Sequence, residues 1–228
     1  MPVSTKIIQN PYEDVAKLIG NNYQFDFPSC LNWLERVGKK QFGAHFTIHK
    51  EDVGLIYKLL VYAIGDEDSC KKKGLRLHKG ILLTGPIGCG KTSLMRLINQ
   101  FFPPLRQFQM KSSREVSFEF EREGFKVISR YGNTYLHSIG KVIKTGIICF
   151  DDLGIEQSQK YYGNECNVMA EILLSRYDLF IQKKIITHLT TNLSASELEV
   201  LYGNRVRSRM RELFNLIAFE KTSKDKRV

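Results

Sequence analysis

Apolar and polar positions divide this chain into short continuous apolar runs and longer stretches with a helical period of about 3.6. Apolar runs at 81–84, 147–150, 185–190 and 216–219 have strand length, and Phe108-Gln109-Met110 adds a fifth. Between them the spacing turns helical. Val53, Ile56, Leu59, Leu60 and Ala63 share one face, as do Leu94, Leu97 and Ile98. Val168, Met169, Ile172, Leu173, Tyr177 and Phe180 predict a helix over 164–182. Ser112 followed by Glu115 is a capping-box pattern and predicts a helix over 113–123. The alternation of Val116, Phe118 and Phe120 with polar residues would also suit a strand, but a parallel sheet needs a crossover here. Asn10-Pro11 reads as a cap with proline at the first helical position, and Val15, Leu18 and Ile19 as the apolar face that follows. Leu31, Trp33, Leu34 and Val37 predict a second short helix. Ser194 and Ser196 cap a helix to Leu201, which Gly203-Asn204 breaks. The expectation is an α/β fold: a parallel five-stranded sheet flanked by helices over 46–228, preceded by a small helical segment over 1–45.

Composition adds little to the fold and something to the partners. The 228 residues are 43% hydrophobic and 25% charged, enough for a sizeable core. The formal net charge of +10 favours polyanions, nucleic acid first. Residues 125–135 mix aromatics with Lys126 and Arg130, which suits core packing and also a nucleic-acid loop. Five cysteines without C-x-x-C spacing read as reduced thiols of a cytoplasmic protein. No signal-peptide pattern and no membrane-spanning run is visible.

The chemistry concentrates at Gly85-Pro86-Ile87-Gly88-Cys89-Gly90-Lys91-Thr92, with Ser93 next, which fits G-x-x-x-x-G-K-[ST]. An apolar strand precedes it and a helical pattern follows. Glycines let backbone N–H groups point inward at phosphate oxygens, and the helix start adds its positive end. Lys91 is placed to reach β- and γ-phosphates, and the Thr92 hydroxyl to hold Mg²⁺. A second strand ends in Asp151-Asp152: Asp151 for the metal shell, Asp152 to polarise an attacking water. Asn192, ending the next strand, would sit beside Asp152 and hydrogen-bond the γ-phosphate or that water. His188 reads as a satisfied core residue. Arg205 and Arg209 share a helix face, with Arg207 and Arg211 displaced around it. Arginine offered to a neighbouring subunit's γ-phosphate would stabilise transition-state charge.

Residues 147–154 (IICFDDLG), 176–193 (RYDLFIQKKIITHLTTNL) and 202–210 (YGNRVRSRM) resemble the AAA+ P-loop ATPases of the DnaC/IstB type, over about 46–228. The resemblance implies ATP and Mg²⁺, with 85–92 as Walker A, Asp151-Asp152 as Walker B and Asn192 as sensor 1. It also implies Arg209 or Arg205 as a finger acting in trans and Arg227 as a sensor-2 arginine. Aspartate at 152 stands where most AAA+ proteins carry glutamate and implies slow turnover. The last strand lies near the end of this sequence, so a C-terminal lid is expected to be reduced or absent.

The expected function is an ATP-hydrolysing, DNA-associated switch, stimulated by DNA or a partner. It would load or recruit a replicative helicase or a transposase as an ATP-dependent oligomer. Two alternatives stay open: a small-molecule P-loop kinase, and a protein in which nucleotide is purely structural.

Overall fold

The apolar runs pair side by side as parallel strands in a sheet that carries a helix-covered core on each face. The computed structural model describes residues 11–133, 136–139, 142–156, 159–161 and 164–227. In chain order the elements begin with α1 (Pro11–Val15), β1 (Ala16–Ile19), β2 (Asn22–Phe25), α2 (Phe27–Phe42), α3 (Val53–Ile64) and α4 (Glu67–Lys72). Next come β3 (Gly80–Thr84), α5 (Lys91–Ile98), β4 (Gln109–Ser112), α6 (Ser113–Glu123) and α7 (Phe125–Asn133). Two hairpins follow, β5 (Leu136–Ile139) with β6 (Val142–Thr145) and β8 (Gln159–Tyr161) with β9 (Asn164–Cys166), on either side of β7 (Ile148–Leu153). The described chain closes with α8 (Val168–Lys183), β10 (Thr187–Thr191), α9 (Ala195–Leu213) and β11 (Phe214–Ala218).

The five-stranded sheet runs β11-β3-β10-β7-β4 with every neighbour parallel. Alternate residues of one strand enter opposite cores, as a period of two requires. Ile81 and Leu83 of β3 pack with Trp33, Leu34, Ile56, Leu59, Met95 and Phe101, contributed by α2, α3, α5 and the turn after it. Leu82 faces the other way, with Ile148, Phe150, Leu189 and the apolar faces of α6, α7, α8 and α9. Trp33 meets Phe101 edge to face at 5.1 Å, so α2 is fastened to the same core as the phosphate-loop helix.

Local chemistry moved several element boundaries. Leu18 and Ile19 belong to a strand, not to a helix face, and are 62% and 59% exposed. Ile19 pairs with Asn22 across Gly20-Asn21, and Gly20 has φ +61°: the two-residue turn imposes a hairpin where helical spacing suggested a helix. The proposed Asn10 cap lies outside the described residues. The helix predicted from Asn164 begins at Val168, because Asn167 Oδ1 accepts from Ala170 N–H and residues 164–166 pair with β8. α6 forms over the predicted span without the capping box: Ser112 makes no side-chain cap, and Glu115 pairs with Lys111. Ser194 and Glu197, by contrast, make both bonds of a capping box, and Gly203 (φ 82°, ψ 161°) breaks the helical backbone where the sequence predicted it, so α9 is two helical pieces joined at a kink. Tyr131 is buried and donates to Glu119, a packing role; Tyr135 lies outside the described residues. His188 is buried, as its apolar context predicted. Leu216, read from the sequence as part of the last strand, lies in edge strand β11 and is 66% exposed.

Candidate functional site

Parallel strands bring their carboxyl ends to one edge of the sheet, the edge at which α/β folds hold ligands. Here β3 runs into the phosphate loop, β7 into Asp151-Asp152 and β10 into Asn192. β10 lies between β3 and β7, so loop and acids face each other across one strand.

The loop curls because two of its glycines adopt left-handed backbone, Gly88 with φ +78° and Gly90 with φ +96°. Lys91 Nζ donates to the Gly85 and Pro86 carbonyls, each at 2.8 Å, which stations the ammonium inside the curl. The Gly85 N–H donates to Thr191 O at 3.3 Å, fastening the loop to β10. α5 starts at Lys91 with Gly90 as its N-cap and no side-chain cap, so its leading N–H groups remain available at the positive end of the helix.

The acids are placed by threonines. Asp151 Oδ1 accepts from Thr92 Oγ1 at 3.1 Å and from Thr190 Oγ1 at 2.6 Å. Thr190 Oγ1 in turn accepts from the Asp152 N–H at 2.9 Å. One hydroxyl on β10 therefore fixes both acids at once. Thr191 Oγ1 donates to Leu153 O at 2.6 Å and ties the strand end beyond them. Asp152 itself has φ +53°, an uncommon conformation for a non-glycine residue. Burial, reinforced by the adjacent Asp151, pushes its carboxyl above the ordinary aspartate range, with Lys91 and Arg227 opposing the shift. Past it, Gly154 N–H donates to Glu156, which also pairs with the Tyr202 hydroxyl of α9.

A cavity of about 480 Å³ opens between these groups. Gly88, Gly90, Lys91, Thr92, Ser93 and Ile87 form one wall; Asp152, Ile155 and Asn192 form another. Gly85, Pro86 and Cys89 of the loop do not line the cavity, nor does Asp151, which is joined to it through Thr92. Thr92 Oγ1 and Asp151 Oδ1 are adjacent hard oxygen donors, the kind of pair that suits Mg²⁺ shared with phosphate oxygens. Among the described residues no group of three or more His, Cys, Asp or Glu forms an all-protein metal cage. A larger cavity, about 1260 Å³, lies beside the β1–β2 hairpin, but the described residues lining it include no lysine or arginine.

Three features of the site escaped the sequence reading. Phe42, His45, Phe46, Thr47 and His49 also line the cavity, so residues on both sides of position 45 contribute to it. The threonines 190 and 191 carried no motif. Lys226 lines the cavity together with the anticipated Arg227. Arg205 and Arg209 do not line this cavity. Arg209 stacks its guanidinium over the Tyr177 ring at 4.8 Å, and Arg207 donates to Ala195 O at 2.7 Å. Among the described residues no helix is long and apolar enough to cross a membrane.

No protein-family model matches the chain. An uncharacterized protein of Schizosaccharomyces pombe is 28% identical over 128 residues, 54% of this chain and 26% of that protein. The chain thus spans about a quarter of the length of the curated relative it matches. Among solved structures, DnaI superposes with a TM-score of 0.52 at 16% identity, covering 81% of this chain and 94% of that one. The DnaC helicase loader aligns with a TM-score of 0.45 at 18% identity, over 63% of this chain and 79% of that one. At such identities the likeness to DnaI speaks for the fold, a five-stranded parallel α/β sheet flanked by helices, and for nothing beyond it.

Proposed function

We propose that this chain binds ATP with Mg²⁺ in the 480 Å³ cavity and hydrolyses it to ADP and phosphate. The observation that carries the reading is the Thr92–Asp151 hydrogen bond at 3.1 Å, which joins the end of the phosphate loop to the acids of β7. Lys91 and the α5 amides hold the phosphate chain and offset its charge. Mg²⁺, when bound, would neutralise charge on the β- and γ-phosphate oxygens beside Thr92 and Asp151. Asp152, kept basic enough by its neighbours and raised by burial, accepts the proton of the attacking water. Asn192 orients that water or the γ-phosphate through its amide. Phe42, Phe46, His45 and His49 supply an aromatic end for the base.

The wider role follows the same reading. In an oligomer, Arg209 or Arg205 of one copy completes the site of the next, and the nucleotide state governs a grip on DNA and on a partner such as a replicative helicase or transposase. The net charge of +10 supports a polyanion surface. The test is phosphate release from ATP with Mg²⁺ and no acceptor, alongside Lys91→Ala. ADP and free phosphate from the wild type, and loss of nucleotide binding in the variant, are expected. Phosphate that appears only on an added acceptor would replace this reading with a kinase. DNA affinity that rises with a non-hydrolysable analogue and falls steeply with salt is expected for the switch.

A further inference from the structure

Past β11 the chain stays on the site. The Phe219 N–H donates to Thr84 O at 2.8 Å, and Phe219 Cβ lies 2.7 Å from where a Cβ on Gly85 would be. The next residues turn back over the phosphate loop. The Lys226 N–H donates to the Gly88 carbonyl at 3.0 Å. The Asp225 carboxylate packs so closely on Gly88 that any side chain there would collide with it. The Lys226 ammonium pairs with the Asp52 carboxylate at the start of α3 and lies 5.0 Å from the centre of the Phe219 ring. Both partners of this ion pair are largely withdrawn from solvent, with Lys226 15% and Asp52 10% exposed. Lys226 and Arg227 then reach the cavity wall.

We infer that residues 219–227 form a strap that positions the phosphate loop, and that Lys226 is the positioning residue through which the strap holds it. Its backbone grips the apex of the loop at Gly88, while its side chain is anchored to Asp52, on a different element. The loop apex is thereby tied to α3 as well as to β10. A pair this sheltered is costly to break, because the surviving charge is left uncompensated. The inference rests on the cavity being a nucleotide site, and it makes a counter-intuitive demand. By charge alone, a carboxylate near a triphosphate opposes binding, so neutralising Asp52 should tighten it. If Asp52 anchors the strap, neutralising it should weaken binding.

The test uses the full chain with Asp52→Asn, Lys226→Met, the double variant and Lys226→Arg. Dissociation constants for a fluorescent non-hydrolysable ATP analogue with Mg²⁺ are measured by titration. Hydrogen exchange of peptides covering 85–93 is followed without nucleotide. Each single neutralisation should weaken binding roughly tenfold, the double no further, since coupled partners are non-additive. Lys226→Arg should restore most of the affinity, which a general loss of folding would not allow. Exchange in the loop should quicken in both neutralised variants. Tighter or unchanged binding in Asp52→Asn, additive effects, or unchanged loop exchange would overturn the strap. If the wild type binds no analogue, the nucleotide reading falls, and loop exchange alone then decides the strap.

Discussion

Replacing His188 with asparagine should flatten the dependence of stability on pH between 7 and 5. His188 sits on β10 with its Nδ1 accepting from the Ile81 N–H at 3.1 Å. The rings of Tyr62, Phe102 and Phe108 surround it with centroids at 6.1, 5.7 and 4.8 Å. Burial, then the positive charges of Arg106 and Arg176, push the imidazole down to about 3. The unfolded chain protonates it at about 6.5. Because the folded value is depressed, the neutral form costs nothing above about pH 6.5, and stability is lost as the pH falls from there towards 3. At pH 5 the unfolded state has gained about 1.5 pK units of proton binding that the folded state refuses, or about 2 kcal/mol. For a chain of this size that is a fall in Tm of roughly 4–8 °C. Asparagine keeps an acceptor for Ile81 and removes the titration, so any fixed cost of the substitution is the same at both pH values. Urea unfolding followed by the fluorescence of Trp33, the single tryptophan, at pH 7 and pH 5 gives the difference directly. Equal pH dependence in the two proteins, or a folded-state imidazole titrating near 6.5 by NMR, would refute the argument.

Three further predictions concern the proposed chemistry. Because the Asp152 carboxyl is raised, phosphate release should decline on the acid side through an apparent pKa above the ordinary aspartate value of 3.8. Asp152→Asn should slow hydrolysis by about a hundredfold or more while leaving analogue binding within a small factor, read by phosphate release against titration. Arg209→Ala should cut turnover by about a thousandfold without loss of ATP affinity, since Arg209 stands outside its own cavity. Mixing it with Lys91→Ala should restore activity, because one variant keeps the finger and the other keeps the site. Failure of that mixture to recover, with both proteins folded, would remove the trans role.

The phosphate loop, the acidic strand end and the alternation of strands with helices were legible in the sequence because each is a local pattern. Glycines at 85, 88 and 90 let a loop curl, and short continuous apolar runs of strand length read as buried parallel strands. The turn at Gly20-Asn21 was equally local, but Val15, Leu18 and Ile19 happened to fit a helical spacing as well, and only the pairing of Ile19 with Asn22 decides between them. What tertiary structure alone decided were the relations between residues distant in sequence. Strand order set β10 between the loop and the acids and so gave Thr190 hold of both Asp151 and Asp152. Packing of α2 against Phe101 through Trp33 set Phe42 and the histidines after it among the residues lining the cavity. The return of the chain over Gly88 joined Lys226 to Asp52, 174 positions away. A threonine, a phenylalanine or a lysine carries no spacing signature for such a role, because what selects it is the partner that the fold places beside it.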